Sequence, residues 1–465
     1  MSFSRSVLLV GVTVASLWAG AGQVGAETMS SALERAYSNN PDINQQRAAL
    51  RARDEGVPTA KAGYMPKVNG SAQAGYQTTT LAGPLKASCG GGTGNCTSAP
   101  QTYGVTVTQT VFDGLRTPNS VSQAESAVLA QREALRQAEV QTLQAAAAAY
   151  MDVLRDTAVL GLRRSNIKVL QVQLQQTQDR FHVGEVTRTD VAQAESALAG
   201  ARADFATAQS NLQTSMASFR RQIGVEPKEL QPAQPIEKLL PPGLQASIDA
   251  GLLDHPSIVG AMHQVDMAES AIKVAEGALA PQLGVQGSFQ KAYNSSGIPG
   301  YDSTGLSVMG TLTVPIYQGG SEYAAIRAAK EQLGQARLAV DSQRIVVRGA
   351  VSTSWGQLQA ARAAIMAYQA SVRAAEVALN GVREEAKVGQ RTTLDVLNAQ
   401  QALLNSRVQL VTAQHDRVVA SYAVMSAIGH LTAEGVGLGA VAYNPEIHYN
   451  QTKNRFFGVS TSDGR

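Results

Sequence analysis

The chain has 465 residues and a formal net charge of +3, too mild a basic excess to point to a nucleic-acid partner. Aromatic residues make up only 5%. With Ala and Gln plentiful, the composition suits long helices better than a compact enzyme core. The N-terminus carries Arg5, an apolar run from Val7 to Trp18, and the small residues Val24-Gly25-Ala26. This pattern predicts a signal peptide over 1–26, cleaved after Ala26. Glu27, not Cys, stands directly after that point, so no lipoprotein anchor is expected. No later run of about 18 apolar residues exists, so no spanning helix is expected either.

Residues 27–224 form a first structural repeat. Glu27 to Gly63 reads as mostly helix, with Ala32, Leu33, Ala36 and Tyr37 on one side, Pro41 interrupting it and Pro58 unsettling its last turns. After Pro66 the period changes to two. Val68, Gly70, Ala72, Ala74 and Tyr76 alternate with polar residues, and Tyr103, Val105, Val107 and Val111 do the same on the way back. This predicts a β-hairpin over 66–112. Its tip holds Cys89 and Cys96, the only cysteines, which are expected to form a small loop disulfide in an exported chain. The Gly90-Gly91-Gly92 run between them lacks the Lys-Ser/Thr and helix of a phosphate loop.

From Asn119 to Val183 there is no Pro, and a heptad seam runs through Val121, Ala124, Val128, Leu135 and Thr142. A helix of this length spans roughly 95 Å. Val183-Gly184 ends it, with Gly as the breaker. Thr187 opens the returning helix, and Asp190 three residues on has capping-box spacing, so the hairpin tip lies near 183–187. The seam then continues through Val191, Ala194, Leu198, Ala201, Phe205, Ala208, Leu212, Ser215 and Phe219.

A Pro-rich segment, 225–246, reads as a linker passing around the outside. The second repeat, 247–430, copies the first. Pro256 and Pro281 stand 215 residues after Pro41 and Pro66. A β-hairpin follows over 281–317, shorter than the first, then a Pro-free helix with the seam Ile326, Ala329, Val340 and Val347. Val388-Gly389, Thr392 and Asp395 fall 205 residues after Val183-Gly184, Thr187 and Asp190, setting a second tip near 388–392. The C-terminal tail, 431–465, shows no clear period, and its STSDGR ending is expected to be mobile.

Amphipathic strands in an exported chain without a membrane helix point to a membrane β-barrel, because strands cross lipid only when every backbone group is paired. Four strands per chain fall short of the roughly eight of the smallest single-chain barrels. The chain is therefore expected to share a barrel with copies of itself. The alternative is an exported soluble coiled-coil structural or interaction protein.

The repeat, the Pro-initiated hairpins and the turns RFHVGEVTRTDV (180–191) and EAKVGQRTTLDVLNAQ (385–400) resemble the TolC outer-membrane efflux family. The resemblance implies an α+β fold of two duplicated halves, with four membrane β-strands and long coiled-coil α-helices per protomer. Three protomers would form a 12-stranded β-barrel continuous with a periplasmic α-barrel. It implies a passive exit duct of a tripartite efflux or type I secretion system. The implied partners are the homotrimer, outer-membrane lipid, a periplasmic adaptor and an inner-membrane ABC or proton-driven transporter, with no cofactor. Asp395 matches the pore-aperture acid, while Asn398 stands where the family has a second acid. Arg391 matches a restraint that ties helices together through Thr189 and Asp190, with Ala386 replacing its aromatic partner. Val183, Gly184, Val388 and Gly389 stand at the free tips of the helical hairpins, where no intramolecular partner is evident, and are expected to dock the adaptor. Both Asp190 and Asp395 also read simply as helix-start residues.

No enzyme motif competes with this reading. The six histidines, at 182, 255, 263, 415, 430 and 448, show no HExxH or paired metal spacing and read as surface residues. No G-x-S-x-G motif is present.

Overall fold

The computed structural model describes residues 27–80, 82, 94–295 and 300–461. The signal peptide expected over 1–26, Cys89, the Gly90-Gly91-Gly92 run and the last four residues of the STSDGR ending lie outside the described residues. The chain begins with three short helices, α1 (Met29–Asn39), α2 (Pro41–Asp54) and α3 (Gly56–Lys61). Pro41 starts a helix here rather than interrupting one. It sits in the first turn of α2, where the missing N–H costs nothing, and Asn40 caps that turn by accepting from the Asp42 N–H at 2.8 Å. The second repeat uses the same device, with His255 capping α7 (Pro256–Glu276), which follows α6 (Leu244–Asp254).

The hairpins are β1 (Lys67–Ala74) with β4 (Gln101–Phe112), and β5 (Gln282–Tyr293) with β6 (Ser303–Thr313). They lie side by side in one antiparallel sheet of order β1-β4-β5-β6. Tyr76, Val314 and Ile316, expected in strands, fall outside them. The surplus of the first hairpin adds a separate ribbon that periodicity did not reveal, β2 (Gln77–Thr80) paired with β3 (Asn95–Ser98). Cys96 is buried in that ribbon and is not a free thiol.

The long helices are α4 (Arg116–His182) and α8 (Ser321–Lys387), each of 67 residues, about 100 Å. The returning helices α5 (Arg188–Ile223) and α9 (Thr393–Ile428) each have 36. The heptad seam is the buried stripe of α5, where Ala194, Leu198, Ala201, Ala208, Ser215 and Phe219 are all buried. Small residues at alternate seam positions let neighbouring helices approach closely.

The main core gathers α1 and α2, which pack on the middle of α4, with the C-terminal ends of α5 and α9, which pack on α4 as well. Tyr150 and Phe219 are fully buried there, with ring centroids 6.2 Å apart. The Tyr150 hydroxyl lies 2.7 Å from the carbonyl oxygens of both Glu27 and Gln231. Burial pushes its pKa up to about 12. The linker, exposed or half-buried along its length, is thus held to α4 at its first half. Its second half is fixed by Glu237, whose carboxylate accepts from both Arg417 and Arg362 at 2.8 Å. Hydrogen bonds from Arg417, then Arg362, hold the Glu237 pKa down at about 2.

The C-terminal tail is also docked. Leu431 and Ala433 enter the core, the Tyr443 N–H donates to the Tyr37 hydroxyl at 2.9 Å, and α10 (Pro445–Thr452) packs on α2. An eight-residue helix is too short to show a period.

The histidines correct another expectation, since His255 and His415 are buried rather than exposed. His448 Nδ1 is 2.7 Å from the buried Asp54. His415 joins α9 to α4, with Nε2 3.0 Å from Asp152 and Nδ1 2.9 Å from Asp416. Arg155 completes the cluster, 2.8 Å from both Asp152 and Asp156. Burial alone would lower the His415 pKa, and Arg155 adds to that, but the two carboxylates outweigh them and raise it. A raised histidine pKa stabilises the fold at pH below the ordinary histidine value, and that contribution is lost as pH rises through the folded value. Thermal unfolding followed from pH 6 to pH 9 should show this loss in the native protein. The loss should vanish from the pH profile of His415→Gln; an unchanged profile would remove His415 as its source.

Candidate functional site: the tips of the helical hairpins

The two hairpins end in turns of one design. Val183 and Val388 close α4 and α8, and Gly184 and Gly389 follow at φ +80° and +78°, the left-handed region that glycine enters without penalty. The Gly184 N–H donates to the Phe181 carbonyl at 3.0 Å and the Glu185 N–H to the Arg180 carbonyl at 2.9 Å. The second turn repeats both bonds, Gly389 to Ala386 and Gln390 to Glu385. These bonds satisfy carbonyls that a helix end leaves open. Val183 and Val388 are 72% and 71% exposed, and nothing lies within 4 Å of where a Cβ would stand on either glycine. Each tip therefore presents an exposed apolar side chain and an uncovered backbone.

The capping boxes are both formed. Thr187 Oγ1 accepts from the Asp190 N–H at 3.3 Å while Asp190 Oδ2 accepts from the Thr187 N–H at 2.9 Å. For Thr392 and Asp395 the corresponding distances are 3.2 and 3.0 Å. Hydrogen bonds from the Thr187 side chain hold the Asp190 pKa down, and the Thr392 backbone N–H does the same for Asp395. Both carboxylates are therefore ionised at neutral pH. In each, Oδ2 carries the cap contacts. Asn398 is exposed one turn beyond Asp395, in the groove between α9 and α5.

Arg391 does not reach Thr189 or Asp190 within the chain. Its Nε donates to Glu385 Oε2 at 2.7 Å, across the turn of its own hairpin. Thr189 is exposed on the other tip, and Asp190 is engaged in its own cap. The sequence reading missed the matching pair on the first hairpin, Arg180 Nε to Glu185 Oε2 at 3.0 Å. The polarity is reversed between the repeats, because Glu385 stands where Arg180 does, 205 residues on. Opposite charges five and six residues apart across a Val-Gly turn were the available signal. The sequence reading also missed a buried polar layer above the tips, where Gln400 Nε2 lies 3.5 Å from Asn166 Oδ1, joining α9 to α4.

Among the described residues, no helix is long and apolar enough to cross a membrane. The family model described as outer membrane efflux protein matches residues 32–225 and 248–430, one match for each repeat. The chain is 41% identical over 440 residues to the outer membrane efflux protein BepC of Brucella suis, covering 95% of this chain and 93% of that one. It is 26% identical to the outer membrane protein TolC of Escherichia coli, covering 88% and 83%. In structure it resembles the Campylobacter jejuni CmeC outer membrane channel, with a TM-score of 0.77 at 17% identity, over 91% and 89% of the two chains. The duplicated halves, the hairpin sheet and the paired tips are thus those of an outer-membrane channel whose helices extend into the periplasm, and the chain belongs to the outer membrane efflux protein family.

Proposed function

We propose that three copies of this chain form a passive exit duct of a tripartite efflux or type I secretion system. The observation that carries this is the four-stranded sheet with two open edges, continuous with helices about 100 Å long. An open sheet edge in lipid leaves backbone groups unpaired, at several kcal/mol each, so the edges need neighbouring copies. Tyr103, Val105, Leu306 and Val308 are exposed on one face of the sheet and would meet the lipid. A periplasmic adaptor docks at Val183-Gly184 and Val388-Gly389. An ABC or proton-driven transporter in the inner membrane supplies the energy and selects the cargo. Asp395 rings the aperture three times, beside Asn398, and Arg391 restrains the tip together with Thr189 and Asp190 of another hairpin after leaving Glu385.

Native mass measurement of the detergent-extracted protein should give a trimer. A stable monomer, or recovery from the soluble periplasm, would count against the duct.

A further inference from the structure

The C-terminal tail climbs the molecule toward the membrane sheet, and its anchor points give its course. The Tyr443 N–H donates to the Tyr37 hydroxyl, and His448 Nδ1 stands 2.7 Å from Asp54. Lys61 Nζ then donates to the Lys453 carbonyl at 3.2 Å and to Asn454 Oδ1 at 3.0 Å. Each step along the tail thus meets a later residue, on α1, then α2, then α3. Those helices lead into β1, and Lys61 is six residues before Lys67, where that strand begins. At no more than about 3.5 Å per residue, Lys61 stands within about 21 Å of the strand. The tail therefore arrives beside the foot of the sheet.

A closed turn forms there. The Arg455 N–H donates to the Thr452 carbonyl at 2.8 Å, and the Arg455 guanidinium donates to Ser460 Oγ at 2.9 Å. Gly458 bends the chain between Arg455 and Ser460 at φ +99°, where a Cβ would lie 3.2 Å from Arg455 Nη2. The turn holds out Phe457, which is 90% exposed, and Val459, which is wholly exposed. Among the described residues, the hydrogen bonds of Lys61, Lys453 and Arg455 all run to neutral oxygens. From Ile447 to Ser462 the sequence contains no acidic residue. Tyr64 and Met65 are exposed between Lys61 and Lys67, and Val68 is exposed next to them on β1. Apolar and basic side chains therefore gather where the helices give way to the sheet.

Resting on the outer-membrane sheet, and not on the trimer or its cargo, we infer that the tail ends in a foot set into the periplasmic leaflet of the outer membrane. Phe457 and Val459 enter the acyl chains, while Lys453 and Arg455 bind the phosphates of anionic phospholipid. Apolar side chains gain by leaving water, and Lys and Arg lay their stems along the apolar layer with their charges among the headgroups. An apolar wedge and a basic pair hold together where either alone would bind weakly. A second copy of the chain is the other surface able to cover Phe457. Lipid also supplies the anions that Lys453 and Arg455 lack, and it already meets the adjoining sheet. Through α10 and its packing on α2, the foot would fix the depth at which the sheet sits.

Phe457→Trp in the full-length protein, reconstituted in nanodiscs of phosphatidylethanolamine and phosphatidylglycerol, tests the foot. Trp355 is the only native tryptophan after residue 26, and its emission is subtracted with the unmodified protein. Lipid brominated on its acyl chains should quench the added emission at least about twofold, because bromine quenches on contact and an interfacial side chain reaches about 5–10 Å into the headgroup–acyl boundary. Val441→Trp is the control, since Val441 is as exposed at the other end of the tail and should not be quenched. Adding Lys453→Gln with Arg455→Gln to Phe457→Trp, or using phosphatidylcholine alone, should lower the quenching, and inorganic phosphate should not restore it. Equal quenching without anionic lipid, or restoration by free phosphate, would overturn the headgroup assignment. Absent quenching in a protein that is trimeric by native mass, even with a blue-shifted emission that puts Phe457 against another copy, would overturn the foot and leave the duct standing. Quenching in a monomer would remove the duct and leave the foot.

Discussion

Replacing both tip glycines, Gly184→Val together with Gly389→Val, is expected to abolish export while the protein still folds, assembles and reaches the outer membrane. Both glycines hold φ near +80°, where a side-chain-bearing residue costs roughly 1–2 kcal/mol. No atom crowds either Cβ position, so the cost is backbone strain alone. The turns relieve it by opening, which displaces Val183 and Val388. The damage stays local, because the main core lies around the middle of α4, far along the helix from the tips. The capping boxes at Thr187 and Thr392 keep α5 and α9 wound beyond the turns. Export measured beside trimer yield and thermal stability separates docking from folding. Undiminished export with both glycines replaced would remove the tips from the docking surface.

The second large effect is expected from Asp395→Asn, which should weaken cation preference and block by multivalent cations in single-channel recordings. Three ionised carboxylates around one axis attract cations and raise one another's pKa. Asn398, one turn on, adds no charge, so Asp395 would supply most of the field at that level. Asp395 is also a capping residue, and loss of a cap costs about 0.5–2 kcal/mol. Asp190→Asn is the control for the lost cap, since Asp190 makes the same capping contacts on the other hairpin; as part of the proposed restraint it should alter conductance, not selectivity. A change in selectivity confined to Asp395→Asn assigns the aperture. Unchanged selectivity and block in a conducting trimer would leave Asp395 as a cap only.

Much of this molecule was legible in its sequence because its order is periodic and repeated. A heptad seam dictates which stripe of a helix is buried, and α5 buries six of the nine residues the seam names, the other three being half-buried. Period-two alternation located all four strands of the main sheet, and Thr followed three residues later by Asp located the starts of α5 and α9. The Val-Gly turns were legible because only glycine enters the left-handed region freely. The capping role of Asp190 and Asp395 was open as an alternative, and the hydrogen bonds show it formed.

Other features had no local signal. Pro41 reads as a breaker until Asn40 is seen capping the turn in front of it. Arg391 has carboxylates at several spacings nearby, and only the path of the turn brings Glu385 to 2.7 Å. His415 looks like a lone surface residue until α4 sets Asp152 against it from 263 positions away. The tail shows no clear period because its helix is eight residues long and held by contacts to α2. Local pattern determined the elements, their lengths and their duplication, since each depends on residues within a few turns. Tertiary structure decided which charges pair, which histidines are buried and which strand edges stay open, since those depend on surfaces that meet only after hundreds of residues have folded together.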